Sequence, residues 1–109
     1  MRNGLSIAAA LLAAIPAVAE AQSVATGSYE CWYFTRAQPG LNFRITGAGT
    51  YTDVEGKRGT FTLGAGNSMA FQGGAHEGSK AVYKNVNPPT VSFIGQSGAE
   101  AAFCQRAGN

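Results

Sequence analysis

Leu41-Asn42-Phe43-Arg44-Ile45-Thr46-Gly47-Ala48-Gly49-Thr50-Tyr51-Thr52-Asp53-Val54-Glu55-Gly56-Lys57-Arg58-Gly59-Thr60-Phe61-Thr62-Leu63 is the stretch that decides the fold. Leu41, Phe43 and Ile45 alternate with Asn42, Arg44 and Thr46, and Phe61 and Leu63 alternate with Thr60 and Thr62. A period of two puts each apolar set on one face of a strand. Thr50–Asp53 carries Tyr51 between the two alternating runs. The connectors Thr46-Gly47-Ala48-Gly49 and Asp53-Val54-Glu55-Gly56 are turn chemistry, in which glycine supplies positive φ. The stretch reads as three antiparallel strands joined by tight turns.

The same pattern extends in both directions. Upstream, Ser28–Phe34 reads as a strand; downstream, Ser68–Gln72, Lys80–Lys84, Thr90–Ile94 and Glu100–Cys104 complete the set. Gly64-Ala65-Gly66-Asn67, Asn87-Pro88-Pro89 and Gly95-Gln96-Ser97-Gly98 link them. Links this short force antiparallel neighbours, because a parallel crossover needs about a dozen residues or more. A meander of about eight strands follows. Closing it into an up-and-down barrel removes both sheet edges. A β-sandwich is the alternative arrangement.

The N-terminus belongs to a different class. Arg2 precedes an apolar run from Leu5 to Ile15, then Pro16 and small residues up to Ala21. That is the pattern of a secretory signal peptide spanning residues 1–21. Ala19-Glu20-Ala21 places cleavage before Gln22, and Ala17-Val18-Ala19 is a second candidate. The run is shorter than the roughly 20 apolar residues of a transmembrane helix. Residues 22–109 then form one domain, periplasmic or secreted. Loss of Arg2 and Glu20 leaves the net charge at +2. So weak a charge points to neither nucleic acid nor a membrane surface as partner.

Cys31 and Cys104 lie in the first and last strands of this reading. In a closed barrel those strands are neighbours, and an exported chain favours their oxidation to one disulfide. The chain-entropy argument assigns such a loop about 4 kcal/mol. Glu100 shares a face with Ala102 and Cys104, so the bridge is expected outside and Phe103 inside. Tyr29 and Tyr33 then face outward with Cys31, and Trp32, Phe34 and Glu30 point inward.

Catalytic and metal patterns are sparse. His76 is the only histidine, in the glycine-rich segment Gly73–Ser79, and an exposed loop position is expected for it. A hydrolase would need it to meet Ser68, Ser79 or Asp53 through tertiary contacts. Asp53 with Glu55, or either with Glu77, is the only carboxylate pairing suited to glycoside chemistry. A structural zinc site wants four Cys or His ligands, and the calcium-loop spacing is missing around Asp53. No cofactor and no enzymatic activity are expected. The candidate binding surface is Tyr29, Tyr33, Arg44, His76, Ser79 and Tyr83, since tyrosine and arginine are enriched among interface anchors.

Tyr51–Phe61 followed by Phe71-Gln72-Gly73-Gly74, with the opening Tyr29-Glu30-Cys31 and the closing Cys104, resembles small exported bacterial β-domains. That resemblance implies a fold and no activity. The chain is also similar, more distantly, to periplasmic inhibitors of C-type lysozyme, which are exported eight-stranded barrels with an S-G-x-x-Y inhibitory motif. Ser79-Lys80-Ala81-Val82-Tyr83 is the matching stretch, with lysine where that motif has glycine. This resemblance implies that Ser79 and Tyr83 enter an enzyme cleft. The expected function is a non-enzymatic exported binding or envelope-associated module whose partner is a protein or envelope component. The alternatives are a lysozyme-inhibitor-like protein and a small hydrolase using His76 or Asp53/Glu55.

Overall fold

The computed structural model describes residues 23–109. The signal segment expected over residues 1–21 lies outside the described residues. Among the described residues nine strands follow one another: β1 (Gly27–Tyr33), β2 (Arg36–Ala37), β3 (Phe43–Gly47), β4 (Thr50–Asp53), β5 (Arg58–Leu63), β6 (Ser68–Gln72), β7 (Lys80–Lys84), β8 (Thr90–Ile94) and β9 (Glu100–Gly108). Short 3-10 turns occupy Pro39–Leu41 and Ala65–Asn67.

Every pairing is antiparallel. β3 to β9 run as a meander, β1 pairs with β3 on one side and with β9 on the other, and the sheet closes. A single sheet closed on itself is an eight-stranded barrel, which excludes the sandwich. β2 is an extra two-residue strand that turns back onto the end of β1. Leu41, expected to begin the second strand, instead ends the Pro39–Leu41 turn, because proline fixes φ and cannot donate to a ladder.

The alternation sets the core. Phe43 and Ile45 of β3, Phe61 of β5, and Met69 and Phe71 of β6 all point into the barrel and are buried. Barrels of this size fill their interior with side chains. Tyr29 stacks on Phe43 with ring centres 5.2 Å apart. Tyr51 meets Phe71 edge-on at 5.3 Å. Offset and edge-to-face contacts of this kind suit the quadrupole of aromatic rings.

Cys31 and Cys104 are directly opposed across β1 and β9 and form a disulfide closing a separation of 73 residues. The bridge lies inside the barrel, with Cys31 2% and Cys104 0% exposed, which corrects the expected outward placement. The cause is a bulge. Phe93 pairs with Ala102 but Ile94 pairs with Glu100, so Ala101 is an extra residue in β9. Glu100 and Ala101 are both exposed, and strict alternation resumes only at Ala102. Cys104 therefore shares a face with Ala102 but not with Glu100. Tyr29 turns inward with Cys31, Glu30 faces water, and Trp32 and Phe103 pair on the outer wall.

The barrel has two ends. At the lower end, Ser23–Thr26 crosses the opening and Val24 is buried in the core. The Tyr29 hydroxyl donates to the Ala25 carbonyl at 2.7 Å, and the Ala25 amide donates to the Tyr83 hydroxyl at 3.3 Å. Burial holds the Tyr29 phenol protonated, with its pKa raised well above the ordinary value. At the upper end, β1, β4, β6 and β8 finish and the loop Gly73–Ser79 folds over the opening.

Candidate functional site

The upper end is built from the loop between β6 and β7. Gly73 and Gly74 both take positive φ, 74° and 69°, which turns the chain back over the barrel. A Cβ at Gly74 would lie 2.6 Å from the Tyr51 hydroxyl, so only glycine lets the loop sit this low. The Tyr51 hydroxyl donates to the Gly73 carbonyl and accepts the His76 amide at 3.0 Å. Burial raises the Tyr51 pKa, which keeps this hydroxyl a donor.

Asp53, at the end of β4, fastens the same loop. Its Oδ1 accepts the amides of Glu55 and Lys57, and its Oδ2 accepts the amide of Ala75, each at 2.9 Å. These amides, Lys57 first, stabilise the charged form and hold the carboxyl below its usual range. Glu77 adds a bond from its Oε1 to the Gly73 amide at 2.8 Å.

The loop delivers His76 into the barrel mouth. The side chain is 5% exposed, which corrects the expected exposed loop position. Its ring stacks on Phe93 at 4.9 Å and meets Phe43 edge-on at 5.3 Å. Nε2 lies 3.0 Å from the Leu41 carbonyl oxygen, which only accepts, so Nε2 carries the proton. Burial lowers the pKa, and the ring is neutral at pH 7. Nδ1 is then an acceptor, and it has no hydrogen-bond partner among the described residues.

Beside His76 a cavity of about 380 Å³ opens to the surface. Leu41, Phe93, Ile94, Ala101 and Ala102 make its apolar wall, with Tyr33 at the lip. Gln38, His76 and Ser79 are its polar members. The Tyr33 ring rests on Phe34 at 4.7 Å. Phe34 is the tip of the two-residue turn between β1 and β2, 77% exposed at φ 57°. That backbone region favours glycine, so an aromatic there is strained, and strain of this kind concentrates at functional sites.

Three of the six expected surface residues come together here: Tyr33, His76 and Ser79. The other three do not join them. Tyr29 and Tyr83 are core residues. Arg44 is exposed on the outer wall, donating to Ser28 Oγ at 2.7 Å. The patch expected from Tyr29, Tyr33 and Arg44 is not formed, because the inward turn of Cys31 takes Tyr29 with it. Ser68 bonds the Ala65 carbonyl at the lower end and is remote from His76. Asp53 and Glu55 share one turn, with the Asp53 oxygens taken by backbone amides. Among the described residues no three His, Cys, Asp or Glu side chains are grouped to hold a metal ion.

Leu41, Phe93 and the bulge residue Ala101 escaped the sequence reading as site residues. The bulge has no signature in Ala99-Glu100-Ala101-Ala102. The glycines on both sides of His76 were the available signal for a loop that folds inward. No family model matches the chain, and no curated protein or solved structure is significantly similar to it.

Proposed function

We propose that the protein is a non-enzymatic, exported binding module that works at the upper end of its barrel. The carrying observation is the concave apolar site there, bordered by the exposed aromatic pair Tyr33 and Phe34. Small-molecule and anchor sites are concave, mostly apolar and furnished with a few polar groups. Export is supported by the apolar N-terminal run ahead of a small-residue cut site and by the disulfide that closes the barrel. No helix among the described residues is long and apolar enough to cross a membrane.

Against catalysis, the polar groups at this end already serve the fold. His76 Nε2 donates to Leu41, and both Asp53 oxygens hold backbone amides. A lysozyme-inhibitor role would need Tyr83 at the surface, and its ring lies in the core. The test is an isotope-labelled sample of residues 22–109 titrated with an envelope extract of the producing organism. Amide shifts confined to Tyr33, Phe34, Leu41 and Ser79, lost in Phe34→Ser, are expected. Shifts elsewhere, no shifts at all, or a hydrolytic turnover abolished by His76→Ala would overturn the reading.

A further inference from the structure

The chemistry of the cavity wall narrows what it accepts. Among the described residues no lysine, arginine, aspartate or glutamate lines it. A charged guest would lose hydration there without a partner, which is costly. The wall offers flat rings, Phe93, His76 and Tyr33, and short aliphatic groups between them. Flat apolar bodies gain most from such walls. A volume of about 380 Å³ lies at the small end of small-ligand sites and fits a body of about two to three rings.

The polar group is equally selective. His76 is nine-tenths buried and forms part of the wall. Its Nε2 proton is committed to the Leu41 carbonyl, which leaves Nδ1 as a lone pair without a protein donor among the described residues. An acceptor in an apolar wall is satisfied by an N–H or O–H of the guest, and an unpaired acceptor there costs free energy. Gln38 and Ser79 at the margin tolerate either role.

We infer that the cavity binds an uncharged aromatic small molecule carrying a hydrogen-bond donor, with its rings on the apolar wall and its donor on Nδ1 of His76. This deepens the proposed function and rests on it. The side chain of a partner protein is the competing occupant, and the test separates the two.

The probe is N-phenyl-1-naphthylamine, a neutral two-part aromatic with one N–H, titrated into the disulfide-bonded protein of residues 22–109. Its fluorescence is expected to rise saturably to one equivalent. The same body bearing a sulfonate, 1-anilinonaphthalene-8-sulfonate, is expected to bind at least about tenfold more weakly, for want of a cation in the wall. Ala101→Trp, at an exposed wall position, fills the cavity and should abolish saturation while leaving the unfolding transition in place. His76→Phe keeps the ring and removes the acceptor, and should weaken the neutral probe by about 2–10-fold. Val86→Ser, exposed in the β7–β8 loop at the lower end and outside the wall, should leave probe binding unchanged. Equal binding of the two probes, or binding indifferent to Ala101→Trp, would overturn the inference. If neither probe binds while the envelope extract still shifts Tyr33 and Phe34, the small-molecule inference fails and the binding end stands, with a macromolecule as its occupant.

Discussion

Tyr51 illustrates how much one side chain carries in a barrel this small. Its ring fills the space above β4, and its hydroxyl ties the β6–β7 loop at Gly73 and His76. Gly59 of β5 exists to admit it: a Cβ there would lie 2.3 Å from the Tyr51 ring and 2.6 Å from the Gly73 carbonyl. Gly59→Ala is therefore expected to destabilise the protein by about 1–3 kcal/mol through overpacking. Urea denaturation checks this, and Gly64→Ala, with open space around its Cβ, is the control. His76 makes the second prediction at this scale. Its folded pKa is below the ordinary 6.5, chiefly because of burial. Above that value both states are neutral and stability is at its full level. Below it the unfolded chain takes up a proton that the folded chain refuses, so stability falls until pH drops through the folded pKa. The urea midpoint should decline as pH is lowered from about 7 to 5, and His76→Phe should flatten that decline. The Asp53 carboxyl, with its lowered pKa, contributes its own loss only at pH below about 4, which keeps the windows apart. Residue identities alone marked His76 as the one histidine, and they put Phe34 inside the first strand, where the structure instead has it exposed at the tip of a turn. They did not show His76 entering the core, because that depends on Tyr51 and Asp53 of β4 and Leu41 of the Pro39–Leu41 turn meeting the loop from distant segments.

Strands were the most legible elements. β4, β6, β7 and β8 have the bounds that alternation and turn residues predict, Thr50–Asp53, Ser68–Gln72, Lys80–Lys84 and Thr90–Ile94. β2 was not legible, since two residues with no alternation carry no period. β9 was legible in place and not in facing, because one extra residue at Ala101 reverses everything before it relative to everything after. The disulfide joins the two elements that share this seam. It closes a 73-residue separation, and its removal in Cys31→Ala/Cys104→Ala should cost about 2–5 kcal/mol. Because both sulfurs are buried, a mild thiol reductant should act only after denaturant opens the barrel. Thiol counting with and without urea measures this, and rapid reduction of the folded protein would contradict the inward placement.

At the scale of the molecule, closure is the property on which the site depends. β1 joined to β9 brings Tyr33, at the end of the first strand, beside Ala101 and Ala102, at the start of the last. Glu30↔Gln105 and Trp32↔Phe103 are the hydrogen-bonded pairs of this seam, and their amides should consequently exchange with deuterium only through global unfolding, at the same free energy as the amides of β6 and β7. Exchange near the rate of an unpaired edge, read by NMR, would mean an open sheet. The amino-acid sequence by itself determined the all-β class, the order of the strands, their antiparallel pairing and the joining of Cys31 to Cys104. Those follow from local period, turn chemistry and short connections, which are properties of neighbours along the chain. Only the tertiary structure decided which face of β1 and β9 looks inward, that His76 caps the barrel, and that an apolar cavity lies beside it. Those rest on a single-residue bulge and on hydrogen bonds between segments 22 to 35 positions apart, which no local pattern encodes.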